Sequence, residues 1–175
     1  YHFREAQTIL WPDDDHHRWS DLILKTILDE RLTVIQGSRD SSKTYTLTKY
    51  VLTDYFSSPY NTLILMSSTD VRGLELRVWG NMKDLWQRAR DRHGDEIHGN
   101  PIDSKHGIFT DALDPEIGDV RDMRKGIICV PVLDSEGNET KALEKFLGVK
   151  QKRRRLVADE FQFLAVSYLN ILSNL

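Results

Sequence analysis

Cysteine is all but missing: Cys129 is the only one among 175 residues. A lone cysteine excludes an internal disulfide and any zinc cage built from thiolates, and it suits a reducing, intracellular setting. Long apolar runs are missing too. No stretch approaches the roughly 20 residues of a membrane-spanning helix, and the N-terminal YHFREAQTIL lacks the continuous apolar segment of a signal peptide. No membrane partner is expected. Excess positive charge is absent: 24 Lys+Arg face 27 Asp+Glu, a net charge of −3. That excludes a protein that coats nucleic acid by charge alone, while leaving room for a local basic stripe. Internal repeats and low-complexity linkers are absent as well. What remains is a chain of single-domain size, 39% apolar and 29% charged, enough for a modest core under a well-charged surface. It starts at Tyr1 rather than Met and ends in the apolar SYLNILSNL, so both ends read as cut.

Short apolar runs alternate with helical patterns along the chain. Pro12-Asp13-Asp14-Asp15 reads as a turn and helix N-cap, followed by a helix with Trp19, Leu22, Ile23 and Ile27 at helical spacing. Leu32–Ile35 reads as a short buried strand, and Lys43 to about Phe56 as a helix ended by Ser57-Ser58-Pro59. Thr62–Met66 is a second buried strand. A long amphipathic helix follows, with Leu74, Val78, Met82, Leu85 and Trp86 on one face. Residues 94–124 read as loops and short strands. Gly126–Leu133 is a third buried strand, residues 134–138 a turn, Leu156–Ala158 a fourth strand, and Phe163–Leu175 a helix. This alternation predicts an α/β fold with a mostly parallel sheet flanked by helices.

Two motifs carry chemistry. The first is Gly37-Ser38-Arg39-Asp40-Ser41-Ser42-Lys43-Thr44, a small-residue turn between an apolar run and a helix, with the spacing of a phosphate-binding P-loop. Such a turn points backbone N–H groups at a phosphate, and the helix beginning at Lys43 adds its positive end. Lys43 supplies a point charge for the β- and γ-phosphates, and the Thr44 hydroxyl suits Mg²⁺. Ser42 stands where the usual pattern has its second Gly, as a small residue at a close backbone approach. The plainer reading is a Ser-rich loop that caps a helix; the order of strand, loop, Lys-Thr and helix favours the nucleotide reading.

The second motif is Leu156-Val157-Ala158-Asp159-Glu160, an apolar strand ending in two carboxylates. In a P-loop ATPase the first carboxylate organises the Mg²⁺ shell and the second polarises the attacking water. Alone, the pair is a weak signal and is more often just the start of a helix. With the loop 115 residues upstream, a parallel sheet would bring both strand ends to one edge. A catalytic Glu and a long insertion between the motifs predict an additional central strand.

These two motifs, with the strand Leu63–Met66 and the approach FLGVKQKRRRLVADE, resemble the N-terminal ATPase domain of the phage terminase large subunit, the DNA-packaging motor. The resemblance spans about residues 30–165 in outline. The family often carries Arg inside a phosphate loop that has lost a Gly, as here at Arg39 and Ser42. The resemblance implies a P-loop NTPase fold of the additional-strand, catalytic-Glu type. It implies ATP hydrolysis that drives double-stranded viral DNA into a procapsid in the infected host's cytoplasm. Partners would be other motor subunits in a ring, the portal and the small terminase subunit. Gly37 to Thr44 would bind nucleotide, Thr44 and Asp159 would hold Mg²⁺, and Glu160 would activate water. Arg39 would stabilise charge or sense nucleotide. Gln7 is a match for the family's adenine-reading Gln. Residues 1–175 would form a single P-loop ATPase domain truncated at both ends, lacking the coupling strand and the nuclease domain.

The remaining features divide between function and packing. Lys150, Lys152, Arg153, Arg154 and Arg155 form the one dense basic run. It serves either DNA phosphates or a neighbour's ATP site, or it is a solvated run before a buried strand. Asp13–His17 reads as a helix cap with exposed His rather than a metal site. His93, His98 and His106 read as surface residues, Trp79 and Trp86 as core, and Cys129 as a buried small hydrophobe. The competing functions are a nucleic-acid helicase or remodelling ATPase with the same core, and a nucleotide-binding module without turnover. Phe161-Gln162 after the acidic pair departs from the DEAD/DEAH pattern, and Glu160 argues for turnover.

Overall fold

The computed structural model of the chain describes residues 2–38, 41–110, 125–133 and 148–160. Three helices come first: α1 (His2–Leu10), α2 (Arg18–Asp29) and α3 (Lys43–Ser57). Strand β1 (Thr62–Ser68) leads into a continuous helical stretch in three pieces. These are α4 (Val71–Gly73), a π-helical turn (Leu74–Trp79) and α5 (Gly80–His93). The short strands β2 (Asn100–Ile102) and β3 (Gly107–Phe109) follow, then β4 (Gly126–Pro131) and β5 (Arg153–Ala158).

The five strands form one mixed sheet in the order β2-β3-β4-β1-β5. Its core is parallel: β1 pairs with β4 from Leu63–Gly126 to Ser68–Pro131, and with β5 from Thr62–Arg153 to Ser67–Ala158. The antiparallel hairpin β2–β3 adds to the outer edge of β4. Every residue of β1 is buried, which explains its unbroken apolar run, since a central parallel strand is covered on both faces. Ile64 and Met66 pack into the larger cluster with Tyr50, Tyr55, Val78, Leu85 and Ile127; Leu63 and Leu65 face Val132, Val149 and Leu156 on the opposite side. Gly126 has φ +149°, and a Cβ there would lie 2.1 Å from the Ile108 carbonyl oxygen, so the β3–β4 pairing requires glycine at this point.

The α/β class and the parallel core agree with the sequence patterns, and three expectations are corrected. Leu32–Ile35 forms no strand, and Leu32 and Val34 are each 66% exposed. Among the described residues no strand pairs with this run, so nothing covers Leu32 and Val34. In α2 the inward residues are Ile23, Leu24 and Ile27, while Trp19 is 71% exposed and Leu22 also faces out. Asp13–Asp15 do not cap α2. Its N-cap is His17, without a side-chain cap bond, and Asp14 is drawn into a buried ionic cluster.

The amphipathic stretch after β1 buries all five expected residues, Leu74, Val78, Met82, Leu85 and Trp86. Helix α1 has no counterpart in the sequence reading. Phe3 stacks on Tyr50 at 5.8 Å, and the Trp11 indole just beyond the helix donates to Leu85 O at 2.9 Å. The expected turn at 134–138 and helix at 163–175 lie outside the described residues. Among the described residues, no helix is long and apolar enough to cross a membrane.

Candidate functional site

The Lys43 end of α3 and the Asp159 end of β5 meet at one edge of the sheet. Gly37, Ser38, Ser41 and Ser42 lead into α3, while Arg39 and Asp40 lie outside the described residues. Ser42 is the N-cap, with φ 55° and ψ 21°, in the left-handed region that L-residues other than Gly, Asn and Asp rarely occupy. This accounts for Gly as the usual residue at this point of the motif: the turn itself demands a positive φ. Lys43 folds back over the loop, donating to Gly37 O at 2.9 Å, Ser38 O at 2.6 Å and Ser41 Oγ at 3.0 Å. Its ammonium is gathered at the mouth of the turn.

Thr44, the next residue, donates its hydroxyl to Asp159 Oδ1 at 2.8 Å. Asp159 is held by its own backbone, whose N–H bonds to Ser67 O at 2.8 Å and extends the β1–β5 pairing past the strand end. The residue is 4% exposed. Burial pushes its carboxyl above the usual range and the Glu160 charge adds to this, against the opposing Thr44 bond and the positive charges of Arg77 and Lys43. Its Oδ2 is buried without a hydrogen-bond partner, as are the hydroxyls of Ser67 and Ser68 at the end of β1. Glu160 has φ 59°, also left-handed, and its Oε1 pairs with Arg77 Nη1 at 3.1 Å. Such backbone strain is characteristic of functional sites.

Beyond Ser42 lies a polar cavity of about 270 Å³, lined by Gln7, His16, His17, Ser20, Tyr45 and Thr46 among others. Gln7 is buried and its Nε2 has no hydrogen-bond partner. His16 titrates below its ordinary value because of partial burial and the Lys49 and Arg4 charges. One wall is fixed by Asp14, which accepts from Tyr45 Oη at 2.6 Å and Lys49 Nζ at 3.1 Å and pairs with Arg88. Burial alone would raise the Asp14 carboxyl; these three hydrogen bonds outweigh it and hold the group below its ordinary value.

The basic run is split by the pleat of β5. Arg153 and Arg155 turn toward α3, where Arg153 bonds Ser57 Oγ at 2.9 Å and pairs with the buried Asp54, and Arg155 lies 3.5 Å from the same carboxylate. Lys150, Lys152 and Arg154 are exposed. The run therefore belongs largely to the strand rather than preceding it.

The donor types suit a hydrated Mg²⁺: one hydroxyl and one buried carboxylate with an orphaned oxygen. Among the described residues there is no cluster of three or more His, Cys, Asp or Glu that would hold a cation unaided. Sequence reasoning missed Arg77, Ser67 and Ser68, because nothing in a one-dimensional pattern links them to the acidic strand. Asp13–His17 read as a helix cap with exposed His; His17 is the N-cap of α2 and exposed, and the fold adds that His16 and His17 line one cavity with Gln7. Comparison with protein-family models, curated proteins and solved structures found no match.

Proposed function

We propose that this chain is a P-loop NTPase domain that hydrolyses ATP. The observation that carries the reading is the 2.8 Å hydrogen bond from Thr44 to Asp159, which unites two motifs 115 residues apart. Lys43 would exchange its loop carbonyls for phosphate oxygens at the start of α3. Thr44 and Asp159 would hold Mg²⁺, which when bound draws charge from the phosphate oxygens. The cavity beyond Ser42 would take the nucleoside, with the buried amide of Gln7 available to a base. Glu160 would accept a proton from water as the water oxygen attacks the terminal phosphorus; the bond from that phosphorus to the bridging oxygen breaks, giving ADP and phosphate.

By its resemblance to the terminase large subunit, the work done would be translocation of double-stranded viral DNA into a procapsid. The chain would act within a ring of motor subunits, with portal and small-subunit partners, in the host cytoplasm. Arg39 would stabilise charge at the phosphates, and Lys150, Lys152 and Arg154 offer the exposed part of the basic run to DNA or to a neighbour. The test is a titration with a fluorescent ATP analogue alongside phosphate release. Lys43→Ala is expected to lose binding. Glu160→Gln is expected to bind and to lose turnover by about 10²–10⁴-fold. Unchanged binding in the first variant would remove the P-loop reading; unchanged turnover in the second would remove the base.

A further inference from the structure

The route by which Arg77 reaches Glu160 is built from several unusual choices. Asp70 caps the helical stretch, its Oδ1 accepting from Gly73 N at 2.7 Å. Immediately after Gly73 the helix widens into the π-helical turn Leu74–Trp79, which contains Arg77. Such turns are rare, interrupt the regular side-chain register and recur at functional sites. A Cβ at position 73 would lie 2.6 Å from Arg77 Nη2 and 3.2 Å from Ser68 Oγ, so the absent side chain leaves the space the guanidinium occupies. At its far end Arg77 meets a Glu160 whose backbone is left-handed. Capping, missing side chain, widened turn and strained glutamate converge on one contact. The Arg77 and Glu160 side chains remain 45% and 31% exposed, so the pair adds little to stability by itself.

We infer that Arg77 is the positioning residue for Glu160, holding its carboxylate in register with Asp159 at the phosphate site. This rests on the ATPase reading above and adds a residue outside both motifs. The guanidinium fixes a side chain whose own backbone conformation is unfavourable, and a base held in place works better than one that swings. The role belongs to geometry: nucleotide affinity does not depend on it.

The test uses the full chain with Arg77→Ala, Arg77→Lys and Gly73→Ala, measuring nucleotide affinity and turnover separately. Gly73→Ala keeps the arginine but displaces the flexible end of its side chain. Arg77→Ala and Gly73→Ala are expected to lower turnover on the order of tenfold or more, with affinity for the fluorescent ATP analogue unchanged. Arg77→Lys should recover part of the loss. In a Glu160→Gln background, Arg77→Ala should cost nothing further. A fall in affinity equal to the fall in turnover would make Arg77 a phosphate ligand and overturn the inference. So would an unchanged rate in Arg77→Ala, or a loss that adds in full to that of Glu160→Gln. If the wild-type chain neither binds the analogue nor releases phosphate, the ATPase reading falls and this inference with it; if Lys43→Ala still abolishes binding, only the role of Arg77 is in question.

Discussion

Asp159 sits where its own charge is disfavoured. Burial raises its carboxyl above the ordinary 3.8, so the folded chain holds that proton more tightly than the unfolded one. Stability from this group is therefore greatest at low pH, and it is lost as pH rises from 3.8 through the folded value. Once ionised, Asp159 is a cost that a bound cation would offset. Asp159→Asn keeps an oxygen for the Thr44 hydroxyl and removes the charge. The variant should gain on the order of 1 kcal/mol without Mg²⁺, seen as an unfolding midpoint about 2–4 °C higher, and should lose Mg²⁺-dependent nucleotide binding. A lower midpoint in a well-folded variant would show that the charge is already compensated within the protein. Lys43, Thr44, Asp159 and Glu160 were legible in the sequence because motif chemistry is local in the chain. The strain at Ser42 was not, since only the backbone reveals the left-handed turn it adopts. Arg77 was invisible for a related reason: its partner lies 83 residues away, and arginine on a helix carries no signal of its own.

Helix α3 and strand β5 carry opposite halves of the site, and a second connection between them lies away from the chemistry. The α3 residue Asp54 is almost fully buried and pairs with Arg153 and Arg155, one turn of the pleat apart on β5. This pairing sets the helix against the strand, so that Thr44 at one end of α3 meets Asp159 at the end of β5. Asp54→Asn should destabilise the fold by on the order of 1–3 kcal/mol. That is less than the loss of a fully buried pair, because both guanidinium groups remain partly in water. A reduced urea midpoint with an unchanged slope is the expected signature; an unchanged midpoint would return Arg153 and Arg155 to the list of residues available to DNA. The same elements mark where pattern reading succeeds. Thr62–Met66 is covered on both faces, and the expected strand is there, running on to Ser68. Leu32–Ile35 carries the same signal and forms no strand, because an apolar run acquires burial only from neighbours. In β5 three consecutive arginines concealed the first half of the strand, since Arg153 and Arg155, which face the buried Asp54, look in sequence like part of a solvated run.

Across the whole molecule, the sheet order and the antiparallel hairpin at its edge were beyond the sequence, because strand adjacency depends on pairings between distant segments. The α/β class was legible, since alternating runs reflect burial from layer to layer. The least expected feature at this scale is the tie from the N-terminal segment to the rest of the fold. Asp14 joins the loop after α1 to Tyr45 and Lys49 on α3 and to Arg88 on α5, and it forms one wall of the cavity beside Ser42. A run of three aspartates gave no hint that one is buried among cations. The hydrogen bonds lower the Asp14 carboxyl below its ordinary 3.8 in the folded chain, so the unfolded chain takes up the proton first. Stability from this group is fully present above pH 3.8, and it is lost as pH falls through the lowered folded value. Asp14→Asn also leaves Lys49, buried against Trp11 and Tyr45, without its counter-charge. The variant should lose about 2–4 kcal/mol at neutral pH. Its urea midpoint, followed from pH 7 to pH 3, should then fall less steeply than that of the wild type at the acid end. Parallel acid limbs for the two proteins would mean that the loop after α1 is held by packing around Trp11 rather than by the charge of Asp14.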